Sequence, residues 1–122
     1  MLLALFSMQV YTVDMAQAEE KDPLTNISII RQLLNLTLFE YNNMNYTGAS
    51  DLVDIAYIDN FEFIEEPLEK QDEELMETTE EMIREKLSGL IDDKSSYSEV
   101  ESLVNQIEEN LNKAEVLLNK DN

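Results

Sequence analysis

From residue 23 onward the chain repeats its apolar residues at intervals of three and four, the spacing of one stripe along a helix. Asp22-Pro23 reads as a helix start, with Asp as N-cap and Pro at the first helical position. Ile27, Ile30, Leu34, Leu38 and Tyr41 follow as the inner stripe, and Asn42-Asn43-Met44-Asn45 breaks it. Asn45 is placed to cap a second helix carrying Leu52, Val53, Ala56, Tyr57, Phe61, Ile64 and Leu68, with Pro67 and Gln71-Asp72 marking its end. Asp72 is placed to cap a third, lined by Leu75, Thr79, Met82, Ile83, Leu87 and Leu90, with Glu73 and Glu74 at the positive end of its dipole. Asp92 to Tyr97 reads as a turn, and Ser98-Glu99-Val100-Glu101 has the form of a capping box. The last stripe is Val100, Leu103, Ile107, Leu111, Ala114 and Leu118. Four amphipathic helices with short connections predict an all-α fold, an antiparallel up-down-up-down four-helix bundle.

The first eighteen residues depart from this pattern. Met1 to Val10 is almost wholly apolar, and Ala16-Gln17-Ala18 has the small-x-small form of a signal-peptidase site. A polar stretch, Glu19-Glu20-Lys21-Asp22, begins immediately after it. The apolar run falls short of the ~20 residues a spanning helix needs. Residues 1–18 are therefore read as a signal peptide and residues 19–122 as one helical domain working outside the cytoplasm. No Lys or Arg precedes the apolar run, and the alternative is an amphipathic or buried first helix.

Composition narrows the chemistry. The 122 residues hold 27 Asp or Glu against 8 Lys or Arg, a net charge of -19, with no Cys, His or Trp. Nucleophile pairs that use His, zinc fingers, thiolate-held clusters and disulfides are excluded. So is the Glu-x-x-His motif of ferritin-like di-iron bundles. The acidity argues against nucleic acid, which is held by Lys and Arg, and favours cations or basic partners. No nucleophile or cofactor motif stands out, so no enzyme is expected.

Carboxylates crowd two helices. Glu62, Glu65, Glu66 and Glu69 lie at the end of the second, and Glu77, Glu80, Glu81 and Glu85 run along the third. If the chain turns near residue 69, Glu62 comes level with Met76 and Glu77, and several carboxylates converge between the helices. Oxygen-only clusters suit hard cations. Binding through ordinary carboxylates fades as pH falls through roughly 4–5. The alternative is a solvated acidic face, with Glu62 or Glu65 pairing to Arg84. Tyr57 and Phe61 are expected in the core. Asn26, Asn35 and Asn45 begin Asn-x-Ser/Thr sequons, of which Asn26 reads as the least hindered.

Ala56-Tyr57-Ile58-Asp59-Asn60-Phe61-Glu62-Phe63-Ile64-Glu65 resembles the "AYLxxFExxE" signature of the extracytoplasmic helical domain of bacterial high-affinity iron permeases. Tyr46 precedes Tyr57 by the family's interval, with Asn45 in place of its Asp. Leu68, Asp72, Leu75 and Glu80 are similar to the continuation, and Val100, Leu103 and Leu117-Leu118 to the last helix. The resemblance covers Leu33 to Leu118. It departs at Glu66, where the family often has Pro, and near Leu87, where the family has Arg. It implies an iron-transport accessory domain rather than a transporter. Its partner would be an iron permease or another membrane component of iron uptake. Its cargo would be iron or another hard cation. Glu62 and Glu65, joined by Glu77 or Glu80, are then the expected metal ligands. The competing reading is an acidic structural or interaction module with no metal role.

Overall fold

The computed structural model describes residues 22–119; the signal peptide expected over residues 1–18 lies outside them. The described chain is all-helical. Helix α1 is Pro23–Asn42. Helix α2 covers residues 46–71 as Tyr46–Ala56, a wide π turn Tyr57–Phe61, and Glu62–Gln71. Helix α3 covers residues 73–92 as Glu73–Glu81, a second π turn Met82–Leu87, and Ser88–Asp92. Helix α4 is Tyr97–Asn119. Helix α1 packs on α2 and α4, and α3 packs on α2 and α4, around one core. Among the described residues no helix is long and apolar enough to cross a membrane.

The capping residues do what their chemistry dictates. The Asp22 carboxylate accepts from the Thr25 amide at 2.9 Å, and the Asn45 side chain from the Gly48 amide at 3.1 Å. Asp72 serves two helices: its own amide donates to the Leu68 carbonyl at 2.8 Å, and its carboxylate accepts from the Leu75 amide at 3.0 Å. Each bond answers a backbone group that a helix end leaves without an internal partner. Two expectations need correction. The cap of α4 is Ser96, not Ser98. The Ser96 hydroxyl accepts from the Glu99 amide and donates to the Glu99 carboxylate, both at 3.2 Å. The sequence offers Ser-x-x-Glu at this position as well, and using it brings Tyr97 against the core. The end expected for α2 at Gln71-Asp72 holds, but Pro67 lies inside the helix rather than closing it. Ile64 and Leu68, both buried, hold the helix through it to Gln71.

The core stripes of α1 and α4 follow the expected three-four rhythm. In α3 the buried residues Thr79, Ile83, Leu87 and Ile91 are spaced by four throughout. On an unbroken α-helix each such step advances about 40°, so the stripe would swing roughly 120° out of the core. The π turn takes up one residue and keeps it in place. In α2 the same device serves the stripe from Ala49 to Leu68, which would otherwise end about 100° off. Phe61 and Ile107 are fully buried as expected, whereas Tyr57 is only partly buried.

Four polar residues are buried as well: Asn26, Thr37, Asn60 and Thr79. The two threonine hydroxyls donate to the carbonyls of Leu33 and Leu75, each at 2.7 Å. The Asn26 amide donates to Asn60 Oδ1 at 3.2 Å. Asn26 is thus the most enclosed of the three sequon asparagines, not the least hindered. The stripe places it beside Ile27, against α2.

Candidate functional site

The two π turns lie on neighbouring helices, and the acidic residues of interest lie around them. Turns of this kind are rare and often mark functional positions. Tyr57 opens the wide turn of α2, and its hydroxyl donates to Glu80 Oε2 on α3 at 3.2 Å. Glu65, further along α2, meets the same Glu80 closely enough for the two carboxyls to share a hydrogen bond. Glu65 is half-buried, and its Oε2 is fully covered with no protein donor among the described residues.

The electrostatics follow from this geometry. Burial pushes Glu65 up from the ordinary 4.5 to about 7, helped by the hydrogen bond to Glu80 and by the charges of Glu80 and Glu62; its hydrogen bond with Tyr57 acts the other way. Burial also pushes Tyr57 up to about 12, reinforced by Glu65 and Glu80 and, more weakly, by Glu62. Tyr57 is therefore a neutral hydrogen-bond donor throughout the physiological range. Arg84 brings a positive charge to the cluster. Its guanidinium lies 3.9 Å from Glu80 Oε1 and 3.6 Å from Glu85, and 5.9 Å from the centre of the Tyr57 ring. It is half-exposed at the edge of the cluster.

The four expected ligands thus separate. Glu65 and Glu80 come together, and Glu62 is exposed but adds its field. Glu77 is exposed on α3 and is not among the charges that act on Glu65. The expected register, with Glu62 level with Glu77, is displaced. The chain turns at Asp72 rather than near residue 69, which brings Glu65 to Glu80. Among the described residues no group of three or more carboxylates is arranged to hold a metal ion. Two carboxylates and a phenol do not make the six- to eight-oxygen cage of a dedicated calcium site. They do suit a hydrated hard cation, which keeps most of its water and takes one or two carboxylates.

Sequence reasoning treated Tyr57 as core packing and missed its hydrogen bond. It also missed Asn60, whose amide donates to the Ile55 carbonyl at 3.1 Å. The runs of four-residue spacing were the available signal for both wide turns. No protein-family model, curated protein or solved structure matches this chain.

Proposed function

We propose that this domain is a non-catalytic accessory module of iron uptake, working outside the cytoplasm. Glu65 and Glu80 would engage a hydrated hard cation, iron first, between α2 and α3. Glu62 and Glu77 would line its approach, and an iron permease or another membrane component of uptake would be its partner. The framework is an antiparallel up-down-up-down bundle, a reading supported by the three short links between helices. One observation carries the site: the Tyr57 hydroxyl donates to Glu80 across the two helices, beside the half-buried Glu65, whose Oε2 is covered. A cation held there relieves the repulsion between Glu65 and Glu80. The resemblance to the iron-permease domain falls on the same segment, since Tyr57 and Glu65 are signature positions.

The site's pH range follows from Glu65. Binding fades as pH falls through about 7, well above the 4–5 that ordinary carboxylates suggest, because the proton competes for the same oxygens. Terbium is a suitable probe, as a hard cation whose emission is sensitised by a nearby tyrosine. Wild type should show tyrosine-sensitised emission that is lost in Glu65→Gln with Glu80→Gln. It should persist in the charge-matched control Glu101→Gln with Glu109→Gln, two exposed positions on α4. Equal small losses in both variants would replace this reading with that of an acidic interaction module.

A further inference from the structure

The site depends on a feature of α2 that is not itself acidic. Tyr57 and Glu65 are eight positions apart. On an unbroken α-helix that separation turns them about 80° from one another, and they could not both face one residue of α3. The wide turn Tyr57–Phe61 lies between them and takes up one residue. They are then related as residues seven apart, within about 20° of one line. Both reach Glu80 as a result.

A wide turn needs something to hold it, since α-helical hydrogen bonding is the default for these residues. Asn60 lies inside this one, and its side-chain amide donates to the Ile55 carbonyl at 3.1 Å, five residues back. That reach is the same as the backbone bond of the turn, in which the Glu62 amide donates to the Tyr57 carbonyl. The other end of the Asn60 amide group accepts from Asn26 on α1 at 3.2 Å. Asn60 and Asn26 are 3% and 1% exposed, so neither amide has water as an alternative partner. A buried amide without a partner is costly, and the pair can be satisfied only with Asn60 turned toward α1.

We propose that Asn60, pinned by Asn26, is the positioning residue of this site: it fixes the wide turn of α2 and thereby sets Tyr57 and Glu65 together against Glu80. The inference rests on the reading of Glu65 and Glu80 as the site. The charged and titratable groups that act there are Tyr57 and Glu62 from α2 and Glu80 and Arg84 from α3.

The test reads tyrosine-sensitised terbium emission from the full chain, with circular dichroism to confirm the fold. Wild type should show sensitised emission, because Tyr57 lies against Glu80. Asn60→Ala should lose most of it, about tenfold or more in apparent affinity, while the helical signal is retained. Asn26→Ala, which removes the pin and leaves the Asn60–Ile55 bond, should act in the same direction and carries the test if Asn60→Ala does not fold. Thr37→Val removes a buried hydroxyl on α1 that bonds only within its own helix and serves as the stability control; it should keep the wild-type emission. Emission that survives unchanged in folded Asn60→Ala or Asn26→Ala, or that falls equally in Thr37→Val, overturns the role of Asn60 and leaves the site intact. Absence of sensitised emission in wild type removes the site and, with it, the proposal.

Discussion

The seam between α1 and α4 and the seam between α2 and α3 solve the same packing problem in opposite ways. On the first, both helices are uninterrupted, and Arg31 reaches across to Glu108 at 3.1 Å and Glu115 at 2.7 Å. Acid meets base. On the second, both helices carry a wide turn, and Glu65 meets Glu80 with Tyr57 above them. Acid meets acid, and Arg84 stands half-exposed at the edge, 3.9 Å from Glu80. A chain of net charge -19 has few bases to place, and it spends Arg31 where two helices need only to pack. Local rules broken in one place and obeyed in another are expected at functional or strained positions.

The largest effect tests whether the bulged half is packed as tightly as the regular half. Phe61, in the wide turn of α2, and Ile107, on α4, are both 0% exposed. Phe61→Ala should cost roughly 3–5 kcal/mol, and Ile107→Ala roughly 2–5 kcal/mol, measured by urea unfolding. A loss below about 1 kcal/mol at Phe61 alone would mean that the wide turn relaxes into the space and that the two seams differ in packing as well as in charge.

The next prediction isolates the acid pair. Glu65 titrates near 7 in the folded chain and near 4.5 in the unfolded one, so between those values the folded state binds the extra proton. Its contribution to stability is full below about pH 4.5 and is lost as pH rises through about 7. Glu65→Gln keeps the shape of the protonated form and removes the titration. It should match wild type near pH 4.5 and exceed it at about pH 8 by on the order of 1–2 kcal/mol, a figure already reduced for solvent screening of a half-buried group. A variant less stable than wild type at the higher pH would show that ionised Glu65 has a compensating partner.

The regular seam was more legible in the sequence than the bulged one, and the reason is geometric. A three-four repeat on Val100, Leu103, Ile107, Leu111, Ala114 and Leu118 has only one helical solution, and every one of these residues is buried. The caps Asp22, Asn45 and Asp72 were legible because each offers a short oxygen where amides lack partners. The four-spacing of Thr79, Ile83, Leu87 and Ile91 is ambiguous, since it fits either a drifting α stripe or a straight stripe with a wide turn. Burial decides between these, and burial is a tertiary fact. The carboxylate register assumed a turn near residue 69, although Gln71-Asp72 already marked the end of α2; with the helix carried through Pro67, the turn falls at Asp72. Once that register moved, Glu65 rather than Glu62 met the acidic face of α3. Asn26 and Asn60 were not legible at all, because an asparagine inside a stripe shows its partner only when the other helix is in place.

A smaller effect makes the regular seam resemble the acidic one. Arg31 and Glu108 are each about three-quarters buried, at 26% side-chain exposure, and Glu108 Oε1 is covered without a partner. Arg31→Gln leaves Glu108 and Glu115 facing a neutral amide. The expected loss is about 1 kcal/mol at low salt, shrinking as added salt screens the pair. Urea unfolding at two salt concentrations reads both the loss and its trend. A loss that is the same at both would mean that the arginine stem supplies packing rather than charge.

The smallest effect concerns the molecule as a whole. With -19 net charge the folded chain holds like charges closer than the unfolded chain does, and salt screens them over a Debye length of about 8–10 Å near physiological ionic strength. Moderate NaCl should therefore raise the melting temperature by about 2–4 °C, equivalent to roughly half a kcal/mol in a domain of this size. The two seams should respond differently. Arg31→Gln removes a screened attraction and adds net negative charge, so its melting temperature should rise more steeply with salt than that of wild type. Glu65→Gln changes a covered pair whose repulsion salt screens less, so its advantage at about pH 8 should persist when NaCl is added. A melting temperature that stays flat or falls in wild type would show that the ion pairs of Arg31, of Arg84 and of Lys70 with Glu66 at 3.3 Å outweigh the general repulsion. The contrast between the seams would then lie in local pairing alone.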